Sequence, residues 1–423
     1  MARKKKETSL GVSYKPKTAQ ELKLEGVQNL YNFLFEACNI IRGPVSQDNF
    51  KDYITPILYY KRISDVYDEE TQDALRESGG DEEYASLPEQ HRFVIPDGCH
   101  WQDVRERTEN LGAAIVGAMR GIELANPDTL YGVLSMFSAQ KWTDKKNLSD
   151  GKIRDLIEHL STRKLGNKDY PTDLMGDAYE ILLKKFADDS KAKAGEFYTP
   201  RSVVQLLVRI LNPQPGDSVY DPACGSGGML IEAVHHMNHS SLCCGNIFGQ
   251  EKNVVNSAIA KMNLFLHGAS DFNIMQGDTL RNPKILQGGE VAKFDCVIAN
   301  PPFSLEKWGS VEWSSDKYGR NIWGTPSDSC GDYAWIQHMI ASMAPGKGRM
   351  AVVMPQGVLF RGNEEGRIRE KLVKSDMVEA VVTLGDKLFY GTGLSPCFLI
   401  IRKMKPAAHS ARVLMIDGTK ILT

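Results

Sequence analysis

This 423-residue sequence lacks several features, and each absence excludes a class of protein. It contains no apolar run near the roughly 18 residues that a membrane-spanning helix requires, so we expect no membrane partner. Its eight cysteines include no Cys-x-x-Cys pair, which argues against a zinc framework and a secreted disulfide scaffold. The basic start at residues 1–6 is not followed by the apolar stretch of a signal peptide. We therefore expect a cytoplasmic protein without a bound metal.

The sequence also lacks an excess of positive charge. Its net charge is −2 and its isoelectric point is near 6.5. A protein that binds DNA alone through the phosphates is usually basic. Either the substrate is not a nucleic acid, or DNA binding is local and shared with a partner. The one dense cationic run lies at the start, and residues 1–18 are predicted to be a flexible basic tail.

Two kinds of hydrophobic periodicity divide the rest of the chain. Apolar residues recur at helical spacing over residues 19–165, which predicts an N-terminal all-α domain. One of its helices is expected to span residues 103–120. Over residues 166–423, short β-rich runs come to alternate with helical patterns, which predicts an α/β domain with a mostly parallel sheet and helices on both faces. The predicted strands are residues 218–220, 247–249, 272–275, 294–299, 349–354, 377–384 and 397–402, with 412–416 as an edge strand.

A glycine-rich segment follows the first predicted strand. It consists of Asp221, Pro222, Ala223, Cys224, Gly225, Ser226, Gly227 and Gly228. Such a turn lets the backbone approach a ligand at a helix N-terminus. Asp221 distinguishes two kinds of cofactor, because a carboxylate at the strand tip repels a pyrophosphate but can pair with the ammonium group of a methionine moiety. The segment therefore favours S-adenosyl-L-methionine over a dinucleotide.

The next two strands also end in acidic residues. Glu251 follows the second strand, where an acidic side chain can accept both ribose hydroxyls of a nucleoside. Asp278 follows the third strand, where a carboxylate can hold the exocyclic amine of the cofactor's adenine. Each carboxylate alone is weak support, but three successive strand tips that end in an acid form a consistent cofactor site.

The most informative motif is Asn300-Pro301-Pro302-Phe303, which follows the apolar run at residues 294–299. The amino group on a base is a poor nucleophile because its lone pair is delocalised into the ring. The Asn300 side-chain oxygen and a neighbouring backbone carbonyl can each accept one amine hydrogen and direct the lone pair at a methyl donor. Catalysis then depends on positioning and electrostatics, with no covalent intermediate. The prolines stiffen the turn, and Phe303 offers a ring for stacking of the target base.

Together these motifs resemble the gamma-class N6-adenine DNA methyltransferases, in which the cofactor motif precedes the catalytic motif. Further segments resemble the modification subunit of type I restriction-modification systems. They are residues 195–201 (Gly-Glu-Phe-Tyr-Thr-Pro-Arg), 331–334 (Gly-Asp-Tyr-Ala), 354–360 (Met-Pro-Gln-Gly-Val-Leu-Phe) and 388–393 (Leu-Phe-Tyr-Gly-Thr-Gly). The resemblance covers nearly the whole chain.

The resemblance implies a Rossmann-like class I methyltransferase domain at residues 166–423 that methylates the N6 amino group of adenine in double-stranded DNA with S-adenosyl-L-methionine. It places Asn300 and Phe303 on the catalytic positions, and it has Ser226, Gly227 and Gly228 line the cofactor while Glu251 binds the ribose. The segment expected to close over the cofactor consists of Glu196, Phe197, Tyr198, Thr199, Pro200 and Arg201.

The resemblance also implies partners. A specificity subunit would read the DNA sequence, a restriction subunit would cleave, and a second copy of the modification subunit would join the complex. Sharing of DNA binding with a partner fits the near-neutral charge. Family members usually continue past the position of Thr423 with a C-terminal helical region that helps contact the specificity subunit, and we expect its absence to affect assembly more than chemistry.

Two alternatives remain open from the residues. Methylation of a glutamine amide in a release factor also uses Asn-Pro-Pro-aromatic, although the large helical domain argues against it. A non-catalytic scaffold could retain the same fold. Two other features are interpreted without function: Cys224 as a buried thiol, and the histidines 235, 236 and 239 as a solvated helix face.

Overall fold

The computed structural model describes residues 19–130, 132–134, 139–189, 199–238, 246–269, 272–385, 388 and 395–419. The predicted basic tail at residues 1–18 lies outside the described residues. The α-helices within them are α1 (Ala19–Ile41), α2 (Phe50–Glu77), α3 (Glu82–Ala85), α4 (Trp101–Arg105), α5 (Leu111–Ala125), α6 (Pro127–Leu130), α7 (Ala139–Thr143), α8 (Asp150–Ser161), α9 (Thr172–Asp189), α10 (Arg201–Leu211), α11 (Gly228–Asn238), α12 (Val254–Leu266), α13 (Ser310–Ser314), α14 (Asp332–Ala341) and α15 (Asn363–Lys374).

The strands within the described residues form one large sheet and one hairpin. They are β1 (Val219–Asp221), β2 (Ile247–Glu251), β3 (Phe272–Gln276), β4 (Leu286–Gln287), β5 (Glu290–Val291), β6 (Cys296–Ala299), β7 (Arg349–Pro355), β8 (Val378–Thr383), β9 (Pro396–Arg402) and β10 (Leu414–Asp417). None of the helices in these ranges combines the length and the apolar character needed to cross a membrane.

Eight of the first nine helices, all except α3, share one hydrophobic core. Leu30 and Leu34 of α1 and Ile54 and Ile57 of α2 are fully buried, as their helical spacing predicts. The same core includes part of α12, where the Phe265 ring packs edge-on against an aromatic ring of α2. The helical half is therefore packed directly against the sheet domain. Because α9 lies beyond residue 165 yet belongs to this core, the boundary at residues 165/166 stays a prediction.

The prediction of one continuous helix over residues 103–120 is wrong. α4 ends at Arg105 and α5 begins at Leu111, with Asn110 in the left-handed conformation at φ 55°. The break is stabilised by Asp150, whose two carboxylate oxygens accept the backbone N–H groups of Asn110 and Leu111 at 3.1 Å each. The apolar residues of the predicted helix are nevertheless buried, including Val104 of α4 and Leu111 of α5.

The large sheet has the strand order β10-β8-β9-β7-β6-β1-β2-β3. All neighbouring strands are parallel except β9, which runs antiparallel to both β7 and β8. The predicted α/β class with a mostly parallel sheet is thereby confirmed, and so is the edge strand, which is β10. The β4–β5 hairpin was not predicted; its turn uses Gly288 and Gly289, both at positive φ.

Both faces of the sheet are covered. Residues of α10, α11 and α12 form one apolar cluster with the sheet, and residues of α14 and α15 form another on the opposite face. Within β6, Cys296 and Ile298 belong to the first cluster, whereas Val297 and Ala299 belong to the second. This explains why the four residues of β6 are all apolar: a strand buried on both faces needs no polar side.

Candidate active site

The candidate site lies at the carboxyl edge of the sheet, where the strand order reverses. From β1 the chain crosses to β2 on one side, and β6 lies on the other side of β1. β1 pairs in parallel with both, as in Tyr220 with Val297, so their carboxyl ends lie side by side. Parallel sheets bind ligands in the crevice outside such a reversal. The two sequence motifs therefore emerge next to each other at this edge.

The glycine-rich segment forms a tight turn from β1 into α11. Gly225 and Gly227 have φ values of 54° and 85°, a conformation that favours glycine. Asn263 of α12 donates its side-chain N–H to the Ser226 carbonyl at 2.8 Å. A Cβ atom on Gly227 would lie 3.4 Å from Ala260. The turn is thus held against α12, with Gly228 beginning α11.

The tips of the first three strands are connected by hydrogen bonds. Gly225 N–H donates to Glu251 at 3.0 Å, and Thr279, which follows Asp278, donates its hydroxyl hydrogen to the Pro222 carbonyl at 2.6 Å. The structure therefore brings the predicted cofactor residues on these three tips together.

Asp221 is the most perturbed carboxyl group of this edge. It is only 2% exposed, and one of its oxygens accepts the Ala223 backbone N–H at 2.9 Å. Burial raises the pKa of Asp221 from its ordinary value of 3.8 to about 8; the Ala223 hydrogen bond opposes this rise and the nearby Glu251 carboxylate adds to it. Two carboxyl groups in one crevice favour a cationic ligand, because a positive charge would offset both the burial and the repulsion.

Glu251 and Asp278 have other contacts in this structure. Both oxygens of Glu251 accept backbone N–H groups, from Gly225 at 3.0 Å and from Asn253 at 2.6 Å. Each carboxylate oxygen can accept a further hydrogen bond, so a ribose contact is compatible with this arrangement. Asp278 accepts the backbone N–H of Arg281 at 3.1 Å and pairs with the exposed Lys252 at 2.9 Å. A cofactor amine would have to share the Asp278 carboxylate with that lysine.

Asn300 directly follows β6 and presents an unusual atom. Its Nδ2 donates to the Thr199 hydroxyl at 2.8 Å. Its Oδ1 is shielded from solvent and has no hydrogen-bond partner among the described residues. Buried acceptors are nearly always satisfied. A lone buried carbonyl oxygen at this edge is the acceptor that an incoming amine hydrogen would require.

The rest of the catalytic motif turns sharply out of the sheet. Pro301 is buried and Pro302 is exposed, while Phe303 is half-buried and packs against the apolar cluster on the α10 face. Ser304 adopts φ 49°, and its backbone N–H donates to Asp332 at 2.7 Å. Residues 300–303, called the catalytic loop below, are therefore fixed at both ends, by β6 before Asn300 and by α14 after Phe303.

Asp332 and Arg361 are residues whose role motif reasoning missed. Asp332 is completely buried, and its second oxygen accepts a hydrogen bond from the Arg361 guanidinium at 2.7 Å. The same guanidinium contacts Cys330 and pairs with Glu365 at 3.0 Å. The signal was present in the sequence, because Asp332 and the stretch before Arg361 belong to segments that carried the family resemblance. What the sequence could not show is that they meet under the catalytic loop.

Cys330, Asp332 and Glu365 come close enough together to be considered as metal ligands. The Arg361 guanidinium already contacts all three side chains, so a cation fills the place that a metal would take. We assign this cluster a structural role in holding the catalytic loop.

The segment expected to close over the cofactor is only partly described. Glu196, Phe197 and Tyr198 lie outside the described residues. Thr199 contacts Asn300, Pro200 precedes the first turn of α10, and the half-exposed Arg201 pairs with Asp177 of α9 at 3.2 Å. In this structure Thr199 therefore contacts the catalytic loop, and Arg201 contacts the helical half.

Two minor interpretations can be compared with the structure. Cys224 is 6% exposed, and burial raises its pKa well above the ordinary value, which agrees with a buried thiol. The solvated helix face is wrong for His235, whose Nε2 lies 3.1 Å from Nδ1 of the buried His267, and burial lowers the His235 pKa. His236 hydrogen-bonds Asn212, and residue 239 lies outside the described residues.

Comparison with known proteins agrees with this fold. The model of the N-6 DNA methylase family matches residues 170–423, and the model of the HsdM N-terminal domain matches residues 30–160. This chain therefore belongs to the N-6 DNA methylase family. Within it the chain groups with the methylase subunits of type I restriction enzymes, as the following relatives indicate.

Two curated relatives come from Methanocaldococcus jannaschii. The type I restriction enzyme MjaVII methylase subunit is 34% identical over 63% of this chain and 46% of its own length. The MjaVIII methylase subunit is 30% identical over 96% of this chain and 70% of its own length. The chain thus spans about half of the first relative and about two thirds of the second.

A solved structure is also similar. The methyltransferase subunit of the type I restriction-modification system from Streptococcus thermophilus superposes with a TM-score of 0.77 at 26% identity, covering 93% of this chain and 88% of that one. The α/β fold with an N-terminal helical part, which the resemblance implied, is confirmed.

Proposed function

We propose that this chain transfers a methyl group from S-adenosyl-L-methionine to the N6 amino group of adenine in double-stranded DNA. The observation that carries this proposal is the buried Asn300 Oδ1, an acceptor without a partner among the described atoms at the reversal point of the sheet. Family membership supports the same reaction. Bound there, the cofactor would supply an electrophilic methyl group on a sulfonium.

The residues of the glycine-rich edge fit such a cofactor. Asp221 would pair with the ammonium group of the cofactor. The added positive charge would stabilise the ionised carboxylate and so lower the raised pKa of Asp221. Gly225 and Gly227 keep the turn free of side chains, and α11 begins directly behind it. Glu251 would accept ribose hydroxyls, and Asp278 the adenine amine in competition with Lys252.

The catalytic residues would act by positioning. Asn300 Oδ1 would accept one hydrogen of the adenine amine and draw the nitrogen lone pair toward the methyl group. The N–C bond would form as the S–C bond breaks, and the amine would then lose one proton to solvent. Pro301 and Pro302 would hold the loop rigid, and Phe303 would stack on the base. Stacking on one base is worth about 1–3 kcal/mol, comparable to the cost of flipping a base from a duplex.

We also propose that the chain works as the modification subunit of a type I restriction-modification complex in the cytoplasm. A net charge of −2 is low for a protein that binds DNA alone, which favours a shared DNA surface. The partners would be a specificity subunit, a restriction subunit and a second copy of this chain. The domain division at residues 19–165 and 166–423 is part of this proposal.

The test is methyl transfer by the chain assembled with its specificity subunit. Labelled cofactor is supplied with DNA that carries the recognition sequence and, separately, with a release factor that carries a glutamine-containing loop. We expect label in DNA, recovered as N6-methyladenine after digestion and mass spectrometry. The control is Asn300→Ala, which should retain cofactor binding but transfer label at a rate lowered by about 100-fold or more. Label only in the release factor would favour glutamine methylation, and absence of label from both in a cofactor-binding complex would favour a scaffold.

A further inference from the structure

One hydrogen bond joins the segment before α10 to the catalytic loop. Asn300 Nδ2 donates to Thr199 Oγ1 at 2.8 Å, and the other end of the same amide is the buried Oδ1 described above. We propose that Thr199 is a positioning residue for methyl transfer, whose hydroxyl holds the Asn300 amide so that Oδ1 faces the amino group of the base. This inference rests on the function proposed above. It differs from the cofactor contact that the resemblance implies for Thr199.

The Asn300 amide needs such a restraint. The terminal torsion of an asparagine side chain is broad and roughly two-fold, so β6 alone does not determine which way the amide points. An amide turned by half a rotation would present its N–H groups to the amine of the base, and two donors would then face each other. A hydroxyl that accepts from Nδ2 holds the amide against partial rotation. It favours this orientation over the half-turned one as long as its own hydrogen is donated to another group and so cannot bond Oδ1. It can still donate its own hydrogen elsewhere, so a cofactor contact by Thr199 remains compatible.

Thr199 is itself anchored at the start of a helix. The carbonyl of the following Pro200 accepts the backbone N–H groups of Val203 and Val204 at 2.9 and 3.1 Å, and both valines are buried against the sheet. The adjacent Arg201 pairs with Asp177 of α9. A β-branched side chain has few χ1 options, so the Thr199 hydroxyl keeps a fixed direction. The hydrogen bond therefore connects two fixed elements, the first turn of α10 and the end of β6.

The comparison of Thr199→Val with Thr199→Ser tests the inference in the complete complex with its specificity subunit. Valine keeps the shape and loses the hydroxyl, whereas serine keeps the hydroxyl. We expect Thr199→Val to lower kcat at saturating cofactor and DNA by about tenfold or more, which corresponds to about 1.4 kcal/mol. The cofactor Kd, measured by calorimetry without DNA, should change by less than about threefold. Thr199→Ser should restore kcat to within about threefold of the unaltered complex.

A double-mutant cycle with Asn300→Ala separates positioning from a general structural effect. If Thr199 acts only through the Asn300 amide, adding Thr199→Val to Asn300→Ala should cause no further loss of the residual rate. A further tenfold loss in that background would overturn the inference. Should Thr199→Val lower the melting temperature, Thr199→Ala provides a second comparison, because it removes the hydroxyl without placing a methyl group against the Asn300 amide.

The competing role of Thr199 gives a distinct result. If Thr199→Val raises the cofactor Kd and leaves kcat at saturation unchanged, Thr199 is a cofactor contact alone and the inference is wrong. Failure of the proposed function has another signature, because the unaltered complex would then methylate no DNA. An unchanged kcat in a variant of an active complex therefore refutes only the role of Thr199.

Discussion

Asp221→Asn should strengthen the fold and weaken cofactor binding. In the folded protein the pKa of Asp221 is raised from 3.8 to about 8, chiefly because burial disfavours the charged form. The folded state therefore binds a proton more tightly than the unfolded state does. Between these two pKa values the free energy of unfolding must fall as pH rises, because the folded state then holds more protons. Asparagine cannot ionise, so Asp221→Asn removes the free-energy cost of burying a charged carboxylate.

The size of the stability gain follows from the same difference in proton affinity. Each tenfold difference in proton affinity, or one pKa unit, is worth about 1.4 kcal/mol. The rise of the pKa to about 8 therefore limits the gain in the free energy of unfolding to about 6 kcal/mol above pH 8. Water that enters the crevice reduces this bound, and we expect a gain of about 1–3 kcal/mol for the cofactor-free protein at pH 8.5. At pH 4 the gain should nearly vanish, since the carboxyl is protonated in the folded protein and the pH is close to the ordinary pKa of 3.8 that governs the unfolded chain.

Cofactor binding should change in the opposite direction. Removing one partner of a buried charge pair costs about 2–5 kcal/mol, so the cofactor Kd should increase by roughly 30-fold or more. In the unaltered protein the affinity should rise as pH increases through 8, because the cofactor's ammonium group requires the ionised carboxylate. Calorimetry at several pH values measures both effects.

Asp295→Asn is the matched control. Asp295 is also a buried carboxyl, but it lies at the amino end of β6 and pairs with Lys347 at 2.6 Å. Burial raises its pKa, but hydrogen bonds from Lys347 and Ser218 outweigh burial and lower the pKa overall. Asp295→Asn should therefore destabilise the protein at neutral pH, an effect lost as pH falls through the lowered pKa, and leave cofactor affinity unchanged. A lower melting temperature for Asp221→Asn at pH 8.5, or an unaltered cofactor Kd, would refute the role of Asp221.

Three further substitutions probe other parts of the site. Asn300→Ala should lower kcat by about 100-fold or more, as loss of a preorganised polar contact does, while the cofactor Kd from calorimetry stays within about threefold. Asp332→Ala should destabilise the protein by about 1–3 kcal/mol in denaturant unfolding, because the Ser304 N–H loses its acceptor and the Arg361 guanidinium keeps Glu365 but loses Asp332. Gly227→Ala should lower the free energy of unfolding by about 1 kcal/mol or more, since φ is 85° and Ala260 lies 3.4 Å from the added carbon. It should also weaken cofactor binding, and melting temperatures measured with and without cofactor test both effects.

Much of the fold could be predicted because the periodicities are local. A strand was predicted at residues 294–299 and β6 is observed at Cys296–Ala299, because its apolar residues are consecutive and both of its faces are buried. The β4–β5 hairpin was missed because each strand has two residues, too few to show alternation. The helix over 103–120 was joined in error because the contact that breaks it comes from Asp150, about forty residues away.

The candidate site could be predicted from the sequence only where a motif lies at the end of a strand, because the strand then determines its position. Asp221 ends β1 and Asn300 directly follows β6, so the parallel pairing of these two strands brings both residues to one edge of the sheet. Asp332 could be recognised as part of a familiar segment, but its hydrogen bond to Ser304 depends on how α14 packs under the loop. The contact between Thr199 and Asn300 joins residues about a hundred positions apart, and neither residue type predicts it.

The two unusual polar groups of this edge have a common explanation. Burial of the Asp221 carboxyl and of Asn300 Oδ1 costs stability. Asp221 accepts one backbone N–H, yet its pKa stays raised to about 8, and Asn300 Oδ1 has no donor among the described residues. A structural role would favour replacement of both by apolar groups of similar shape. A positive charge would stabilise the Asp221 carboxylate, and an N–H donor would satisfy Asn300 Oδ1. A sulfonium amino acid carries the first group, and an exocyclic amine carries the second. The pairing of these two needs on adjacent strand ends is the physical reason to expect methyl transfer between them.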